Sequence, residues 1–168
     1  LEETIVREVM VPRVDVDAVE ISTNVQTVAQ QMLEHAHSRL PVYQDTLDNI
    51  VGMVYSRDLL TVLSKKSKSV PKLNDLMRQP FFVPESKRAD ETLSELQEKR
   101  VQIAVVVDEY GGTAGVVTIE DLLEEIVGEI EDEFDVNELE IEHLADGSAQ
   151  VDARMHVEDF NEAFNADI

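Results

Sequence analysis

Apolar and polar positions in the first third of the chain follow a definite succession of spacings. Residues 25–32 place apolar side chains three or four positions apart, which is typical of an amphipathic helix. Residues 40–43 and 50–54 are short apolar runs that predict strands, and the polar residues 45–49 between them predict a turn. A second helical pattern begins near Ser56. The expected order is helix, strand, turn, strand and helix.

The same order returns in the second third of the chain. Residues 89–96 carry a helical pattern, and residues 103–107 and 114–117 predict strands. Residues 108–112 predict the turn between these strands, and another helix begins near Thr118. The pattern therefore predicts one mixed unit of helices and strands that occurs twice.

The two units are copies of each other in sequence as well. Residues 38–60 align without gaps on residues 101–123, at a constant offset of 63 residues, which is also the separation of Gly52 and Gly115. Each copy follows an entrance that contains a methionine and a proline: Met10 and Pro12, then Met77 and Pro80. One such unit would expose apolar faces, so we expect the copies to pack about a pseudo-twofold axis. Two independent small domains are the alternative.

The predicted fold class is α/β (α+β), divided into four segments. These are a first module at 4–64, a linker at 65–72, a second module with an acidic C-terminal helix at 73–135, and a non-repeating segment at 136–168. In the last segment, residues 141–155 predict a β-hairpin and residues 157–164 a helix, the start of a small α+β domain. The chain begins at Leu1 and stops within a helical pattern, so we expect it to be a fragment of a longer protein.

Composition narrows the possible functions. The 168 residues include 36 acidic and 14 basic side chains, a formal net charge of −22, which argues against binding to a nucleic-acid backbone. There is no cysteine, so thiolate metal sites, disulfides and cysteine nucleophiles are excluded. No apolar run approaches the roughly 18 residues needed to span a bilayer. We expect this piece of the protein to be soluble.

Three motifs resemble those of a known family. Met10-Val11-Pro12-Arg13 resembles the entrance of a CBS module, SRLPV at 38–42 its first strand, and GVVTIED at 115–121 its strand-to-helix junction. Residues 6–16 (VREVMVPRVDV) and 108–135 (DEYGGTAGVVTIEDLLEEIVGEIEDEFD) are similar to the CorC/HlyC family, also called hemolysin-like. Animal cyclin-M magnesium transporters look similar over the same region. The resemblance implies tandem CBS modules packed with pseudo-twofold symmetry, followed by a truncated CorC/HlyC C-terminal domain.

The family resemblance also implies a function. It implies a homodimeric regulatory module on the cytoplasmic side of the bacterial inner membrane, below a transmembrane domain that exports Mg2+ or Co2+. ATP, ADP or AMP would bind in the cleft between the modules, with Mg2+ on the phosphates. A scaffold that dimerises without a ligand is the alternative. An enzyme is not expected, because the sequence has no P-loop, glycine-rich dinucleotide motif or Ser-His-Asp set.

Thr118 and Asp121 are the main candidates for contact with a nucleotide. Asp121 can accept hydrogen bonds from both ribose hydroxyls, and Thr118 lies at a helix start, where free N–H groups favour phosphate. Thr-x-x-Asp is equally the pattern of a capping box, and the two roles are compatible. The preceding Gly115 favours the ligand interpretation because it permits a close backbone approach.

The family pattern, carried over position by position, supplies the rest of the site. It implies adenine contacts from Val11, Pro12, Ala18, His37 and Val116. It places Ser38 at the ribose or phosphate, and Arg13 and Arg39 as phosphate counter-charges, although Arg39 is also interpretable as an exposed strand residue. The second, weaker site contains Asp58, with Tyr55 where the threonine hydroxyl is expected. We therefore predict one competent site.

Metal ligation by the protein itself is not expected. The four histidines, His35, His37, His143 and His156, lack the spacing of common zinc motifs and are interpreted as surface or cleft-lining residues. The acidic side chains of residues 120–135 allow uptake of hydrated Mg2+, but a solvated helix face is the simpler interpretation. The expected metal is Mg2+ held by nucleotide phosphates.

Overall fold

The computed structural model describes residues 4–65, 68–134, 142–143 and 149–150. The chain divides into two units, residues 1–127 and residues 128–168. Within the first unit, we call residues 4–65 the first half and residues 68–127 the second half. The first half contains α1 (Val6–Val9), β1 (Val11–Pro12), a 3-10 turn (Arg13–Asp15), β2 (Val19–Glu20), α2 (Val25–Glu34), β3 (Arg39–Gln44), β4 (Thr46–Tyr55) and α3 (Ser56–Ser64).

The second half repeats this succession with small changes. It contains α4 (Leu73–Leu76), β5 (Phe82–Pro84), α5 (Ala89–Lys99), β6 (Ile103–Val107), β7 (Thr113–Thr118) and the first part of α6 (Ile119–Phe134), which continues past residue 127. The predicted order of helix, strand, turn, strand and helix is present in both copies. Among the described helices, none has the length and apolar character of a segment that crosses a bilayer.

Each half builds a sheet around an antiparallel pair of strands. In the first half the strand order is β2-β3-β4, and in the second half it is β1-β7-β6-β5. The strand β1 thus comes from the first half but pairs with β7 of the second, with Val11 opposite Val116. The second half reciprocates through an isolated bridge between Arg78 and Met53. This exchange of entrance segments makes the halves one structure and is inconsistent with two independent domains.

The two repeated glycines make room for the exchanged entrances. A Cβ atom on Gly115 would overlap the carbonyl oxygen of Val11, and one on Gly52 would overlap the side chain of Met77. The close approach predicted at Gly115 is therefore made by a strand of the chain itself. The glycine supports the pairing of β1 with β7 and gives no independent support to a ligand.

The apolar core has three parts: one beside each sheet, which includes Val6 or Leu73 from the entrance of the other half, and one between the halves. The central cluster contains the buried residues Ile50 and Met53 from β4 with Ile103, Val105 and Val116 from β6 and β7. Burial of an aliphatic side chain of this kind contributes about 1.5 to 3 kcal/mol. The contact surface between the halves is thus an apolar core, as expected for repeated units that would each expose an apolar face to water if isolated.

The turns differ from the sequence prediction in the first copy only. Residues 45–49 were predicted to form a turn, but β4 begins at Thr46. The connection between β3 and β4 is therefore a single residue, Asp45, at φ 67°. Aspartate tolerates this left-handed conformation, which lets the strands reverse within one residue. In the second copy the predicted turn is present, and the Asp108 carboxylate accepts the N–H groups of Tyr110 and Gly112, each at 2.9 Å.

The second unit is described only at two short strands. Here β8 (Glu142–His143) pairs antiparallel with β9 (Ala149–Gln150), as the predicted hairpin requires. The rest of that hairpin and the helix predicted at 157–164 lie outside the described residues. The predicted bounds of the modules and of the C-terminal domain stay predictions.

Candidate functional site

A cavity of about 280 Å3 opens between the two halves, beside the start of α6. We call it the first cleft. Six residues named from the sequence line it: Val11, His37, Ser38, Arg39, Val116 and Thr118. Pro12, Arg13, Ala18 and Asp121 do not belong to its lining, although Asp121 bonds to Thr118. The first cleft therefore joins the entrance and first strand of one half to the strand-to-helix junction of the other.

The floor of the first cleft is apolar. Val11 of β1 pairs with Val116 of β7, and Val116 in turn pairs with Val105 of β6. Ile103 at the start of β6 also lines the cavity and is buried. These aliphatic surfaces suit a flat apolar group, because the area that such a group covers is removed from water.

Thr118 and Asp121 form a reciprocal capping box at the start of α6. The Thr118 N–H donates to Asp121 Oδ2 at 3.0 Å, and the Asp121 N–H donates to Thr118 Oγ1 at 3.1 Å. The capping-box role considered for Thr118 and Asp121 in the sequence analysis is therefore present. The capping box leaves acceptor positions on the Asp121 carboxylate available, because its two oxygens offer about four such positions. The first turn of α6 still presents its positive dipole end to the cleft.

Arg39 connects the two halves at the wall of the first cleft. Its guanidinium donates to the side-chain oxygen of Gln102 and lies 3.5 Å from Glu120 Oε1. The Arg39 side chain is only 17% exposed, so it is a partly buried wall residue and not a free surface side chain. Its position permits the predicted role as a counter-charge.

Arg13 does not reach the first cleft. Its guanidinium donates to Asp48 and, at 3.0 Å, to the carbonyl oxygen of Thr113. Thr113 begins β7 and Thr118 ends it, and five residues of strand span roughly 16 Å. In this arrangement Arg13 lies away from the start of α6, and its role as a phosphate counter-charge stays a prediction. Arg13 lowers the pKa of Asp48 through their hydrogen bond, and the N–H of Thr113 adds to that effect.

Acidic residues missed by the sequence prediction line the first cleft as well. Asp15, Asp17 and Glu120 are part of its wall, together with the uncharged Val16, Ala36, Leu40, Pro41 and Ile103. The His37 ring nitrogen Nε2 lies 2.6 Å from Asp17 Oδ2, and this hydrogen bond lowers the pKa of Asp17. Asp15 and Asp17 follow the family entrance directly, so their position in sequence was the available signal.

The pseudo-symmetric site, formed by Tyr55, Asp58 and Arg78, is arranged differently. Arg78 is the counterpart of Val11, because Met53 and Val116, their respective partners across the sheets, are related by the repeat. Its guanidinium donates to Asp58 through Nε at 3.0 Å and through Nη2 at 3.1 Å. It also lies 4.6 Å from the centre of the Tyr55 ring. The acid expected to bind ribose is thus engaged by a side chain of the protein.

A family model and curated relatives match most of this chain. A family model described as CBS domain matches residues 6–65 and 73–128. Hemolysin C of Brachyspira hyodysenteriae is 43% identical over 93% of this chain and 57% of its own length. The magnesium and cobalt efflux protein CorC of Escherichia coli K12 is 39% identical over 95% of this chain and 54% of its own. The chain spans about half the length of these curated relatives.

Solved structures show the same fold. A CBS domain of a bacterial CNNM/CorC family Mg2+ transporter, in complex with ATP, is 44% identical with a TM-score of 0.71. The match covers 76% of this chain and 89% of that one. A CBS-domain pair with bound AMP from Klebsiella pneumoniae is 31% identical with a TM-score of 0.67, over 74% of this chain and 99% of that one.

Proposed function

This chain belongs to the CBS-domain family, as a tandem pair of the CorC and hemolysin C kind, and on that premise we propose that it is a regulatory module that binds an adenine nucleotide in the first cleft. Binding would control an attached membrane domain that exports Mg2+ or Co2+, with this module on the cytoplasmic side. The observation that carries the proposal is the first cleft itself, where an apolar floor meets a helix start. The relatives with bound ATP and AMP support it.

The proposed pose uses each part of the first cleft for the group that suits it. Adenine packs on Val11 and Val116, which form the apolar floor. Ribose hydroxyls donate to the carboxylate of Asp121, which lies next to the cleft lining and keeps lone pairs that the capping box leaves available. The phosphate lies against the first turn of α6, where Thr118 and Ser38 supply hydroxyl groups and Arg39 supplies charge.

The acidic lining of the first cleft predicts that phosphate groups bind together with a cation. Asp15, Asp17 and Glu120 line the first cleft, and among the residues that the structure describes Arg39 is the one lining residue with a permanent positive charge. A triphosphate adds about four negative charges to this surface, and repulsion between them opposes binding. We therefore propose that ADP and ATP bind as their Mg2+ complexes, while AMP needs the cation least.

One nucleotide per chain follows from the pseudo-symmetric site. Arg78 engages Asp58 with two nitrogen donors and covers the face of Tyr55. A ribose entering there would have to displace a bidentate pair and then leave the guanidinium without its partner. We propose that this site stays closed in the native protein.

A homodimer formed through α3 and α6 is part of the proposal. Leu60 on α3 and Leu123 on α6 occupy equivalent repeat positions, and they are 56% and 40% exposed. Val127, one turn beyond Leu123, is 49% exposed. Exposed aliphatic side chains on the two related helices favour contact with a second copy. This surface also supports the alternative, a scaffold that dimerises without a ligand.

Isothermal titration with AMP, ADP and ATP, with and without Mg2+, separates the sensor from the scaffold. The decisive variant is Asp121→Asn, because asparagine keeps a side-chain oxygen for the helix cap but cannot accept from both ribose hydroxyls. Loss of a hydrogen bond to a charged group costs about 1.5 to 3 kcal/mol, or about 10- to 150-fold in affinity.

The matched control is Asp58→Asn at the pseudo-symmetric site. The sensor predicts that this variant keeps the native affinity and a stoichiometry of one. If the native protein shows no heat and no thermal stabilisation with any of these nucleotides, the scaffold is correct. Equal losses in both variants would contradict the assignment of the first cleft.

A further inference from the structure

Three side chains with metal-ligating atoms converge at the rim of the first cleft. His37 Nε2 lies 2.6 Å from Asp17 Oδ2, and His35 Nδ1 lies 3.3 Å from the same oxygen. One ligand atom from each residue lies within 4.8 Å of the others. The three side chains are 37% to 50% exposed, so an ion can reach them from solvent.

The backbone brings the two imidazoles to one side. The helix α2 ends in a left-handed residue, Ala36, at φ 55°. The N–H of His37 donates to the carbonyl oxygen of Met32 at 2.9 Å, which closes the last turn. A left-handed conformation is unfavourable for a residue other than glycine. Here it accompanies an edge-to-face arrangement of the rings of His35 and His37, with centroids 6.0 Å apart.

We propose that Asp17, His35 and His37 bind a divalent first-row transition-metal ion such as Zn2+. Two imidazoles with one carboxylate suit zinc, cobalt or nickel, whereas Mg2+ prefers oxygen ligands. Metal–ligand bonds of about 2.0 to 2.1 Å in a tetrahedral site put neighbouring ligand atoms about 3.3 Å apart. The separation of His35 and Asp17 already has this value, and the closer His37 contact opens by a small rotation of an exposed side chain.

The metal site overlaps the wall of the cleft proposed for the nucleotide but extends beyond it. Asp17 and His37 line the first cleft, but His35 does not. A change at His35 therefore removes a metal ligand without altering the cleft wall. Three protein ligands leave a fourth position open for water, as in zinc sites that are not closed structural ones.

Cobalt is the probe that tests the site, because tetrahedral Co2+ ligated by imidazole has visible absorption bands that free Co2+ lacks. We expect the native protein to bind one equivalent of Co2+, to give these bands, and to lose them when Zn2+ is added. An excess of Mg2+ should leave the bands unchanged. The variant His35→Gln should bind Co2+ at least ten-fold more weakly, and Asp17→Asn should do the same.

The matched control is Asp45→Asn, which changes an exposed carboxylate between β3 and β4 that does not belong to the cluster. This variant should bind Co2+ like the native protein, and circular dichroism should show equal folding of all variants. Binding that is unaffected by His35→Gln, or that is lost in Asp45→Asn, would overturn the proposal. AMP titrations on His35→Gln should match the native protein, so failure of the metal site and failure of nucleotide binding give different results.

Discussion

Exchanging two residues between the pseudo-symmetric positions should open the site that we propose is closed in the native protein. The variant Arg78→Val with Tyr55→Thr gives the pseudo-symmetric site the side chains that Val11 and Thr118 provide in the first cleft. The guanidinium then no longer engages Asp58, and a hydroxyl replaces the ring at the start of α3. We expect the double variant to bind two nucleotides per chain, against the one proposed for the native protein.

The stability cost follows from the contacts that are removed. The Arg78 and Asp58 side chains are 47% and 28% exposed, so solvent screening leaves their ion pair about 0.5 to 1 kcal/mol. The cation–π contact with Tyr55 at 4.6 Å contributes about 0.5 to 1 kcal/mol at an exposed site. The double variant should therefore lose about 1 to 2 kcal/mol in the free energy of unfolding, which denaturant titration measures.

The reciprocal exchange is the control. Val11→Arg with Thr118→Tyr places an arginine and a bulky ring in the first cleft, and nucleotide binding should fall below detection while the chain stays folded. Isothermal titration gives the stoichiometry of each protein. If the opened variant is folded and still binds one nucleotide, Arg78 and Tyr55 are not what closes the site. Two nucleotides on the native chain would refute the argument directly.

Three further predictions follow from the structure. Gly115→Ala should lower the free energy of unfolding, measured by denaturant titration, by about 3 kcal/mol, because the new Cβ would overlap a backbone carbonyl. Gly52→Ala should lower it by less, because the flexible methionine side chain that the Cβ would meet can move away. A hydrogen bond from arginine and one from a backbone N–H lower the pKa of Asp48, so its carboxylate stabilises the fold above about pH 4 and loses that contribution as the pH falls further. Asp48→Asn should therefore reduce the loss of unfolding free energy at acidic pH, as measured by denaturant titration at several pH values. Leu60→Glu with Leu123→Glu should convert a dimer into a monomer in light scattering, and an unchanged mass would exclude the α3 and α6 contact.

The repeat made most of the fold predictable. Gapless similarity between two segments predicts the same strands and helices in both, and the thin apolar faces of each unit require a partner. The partner of β1 was harder to predict from local pattern, because pairing between the entrance and β7 is set by long-range packing. The early start of β4 depends on a single left-handed residue, Asp45, which no hydrophobic periodicity reports.

The candidate site was predictable where it depends on the strand-to-helix junction and less so elsewhere. Thr118 and Val116 have positions fixed by the repeat, and both line the first cleft. The contact of Arg13 with Asp48 was not predictable from the sequence, because a long side chain reaches either end of a strand and the acid lies on a hairpin distant in sequence. Arg78 was not recognised, because its role appears only when the second entrance is set against Met53.

The exchanged entrance gives nucleotide binding a physical route to the rest of the protein. The short helix α1 is held by the second half, since the N–H of Val6 donates to the carbonyl oxygen of Lys87 at 2.8 Å. The strand β1 follows α1 directly, and its Val11 is the proposed adenine contact. A ligand that packs on Val11 and bonds to Thr118 therefore favours the arrangement in which both halves hold the entrance. A nucleotide with equal affinity for an arrangement without that pairing would not shift the equilibrium between them. The proposed contacts with both halves are therefore what would allow a nucleotide to act as a signal.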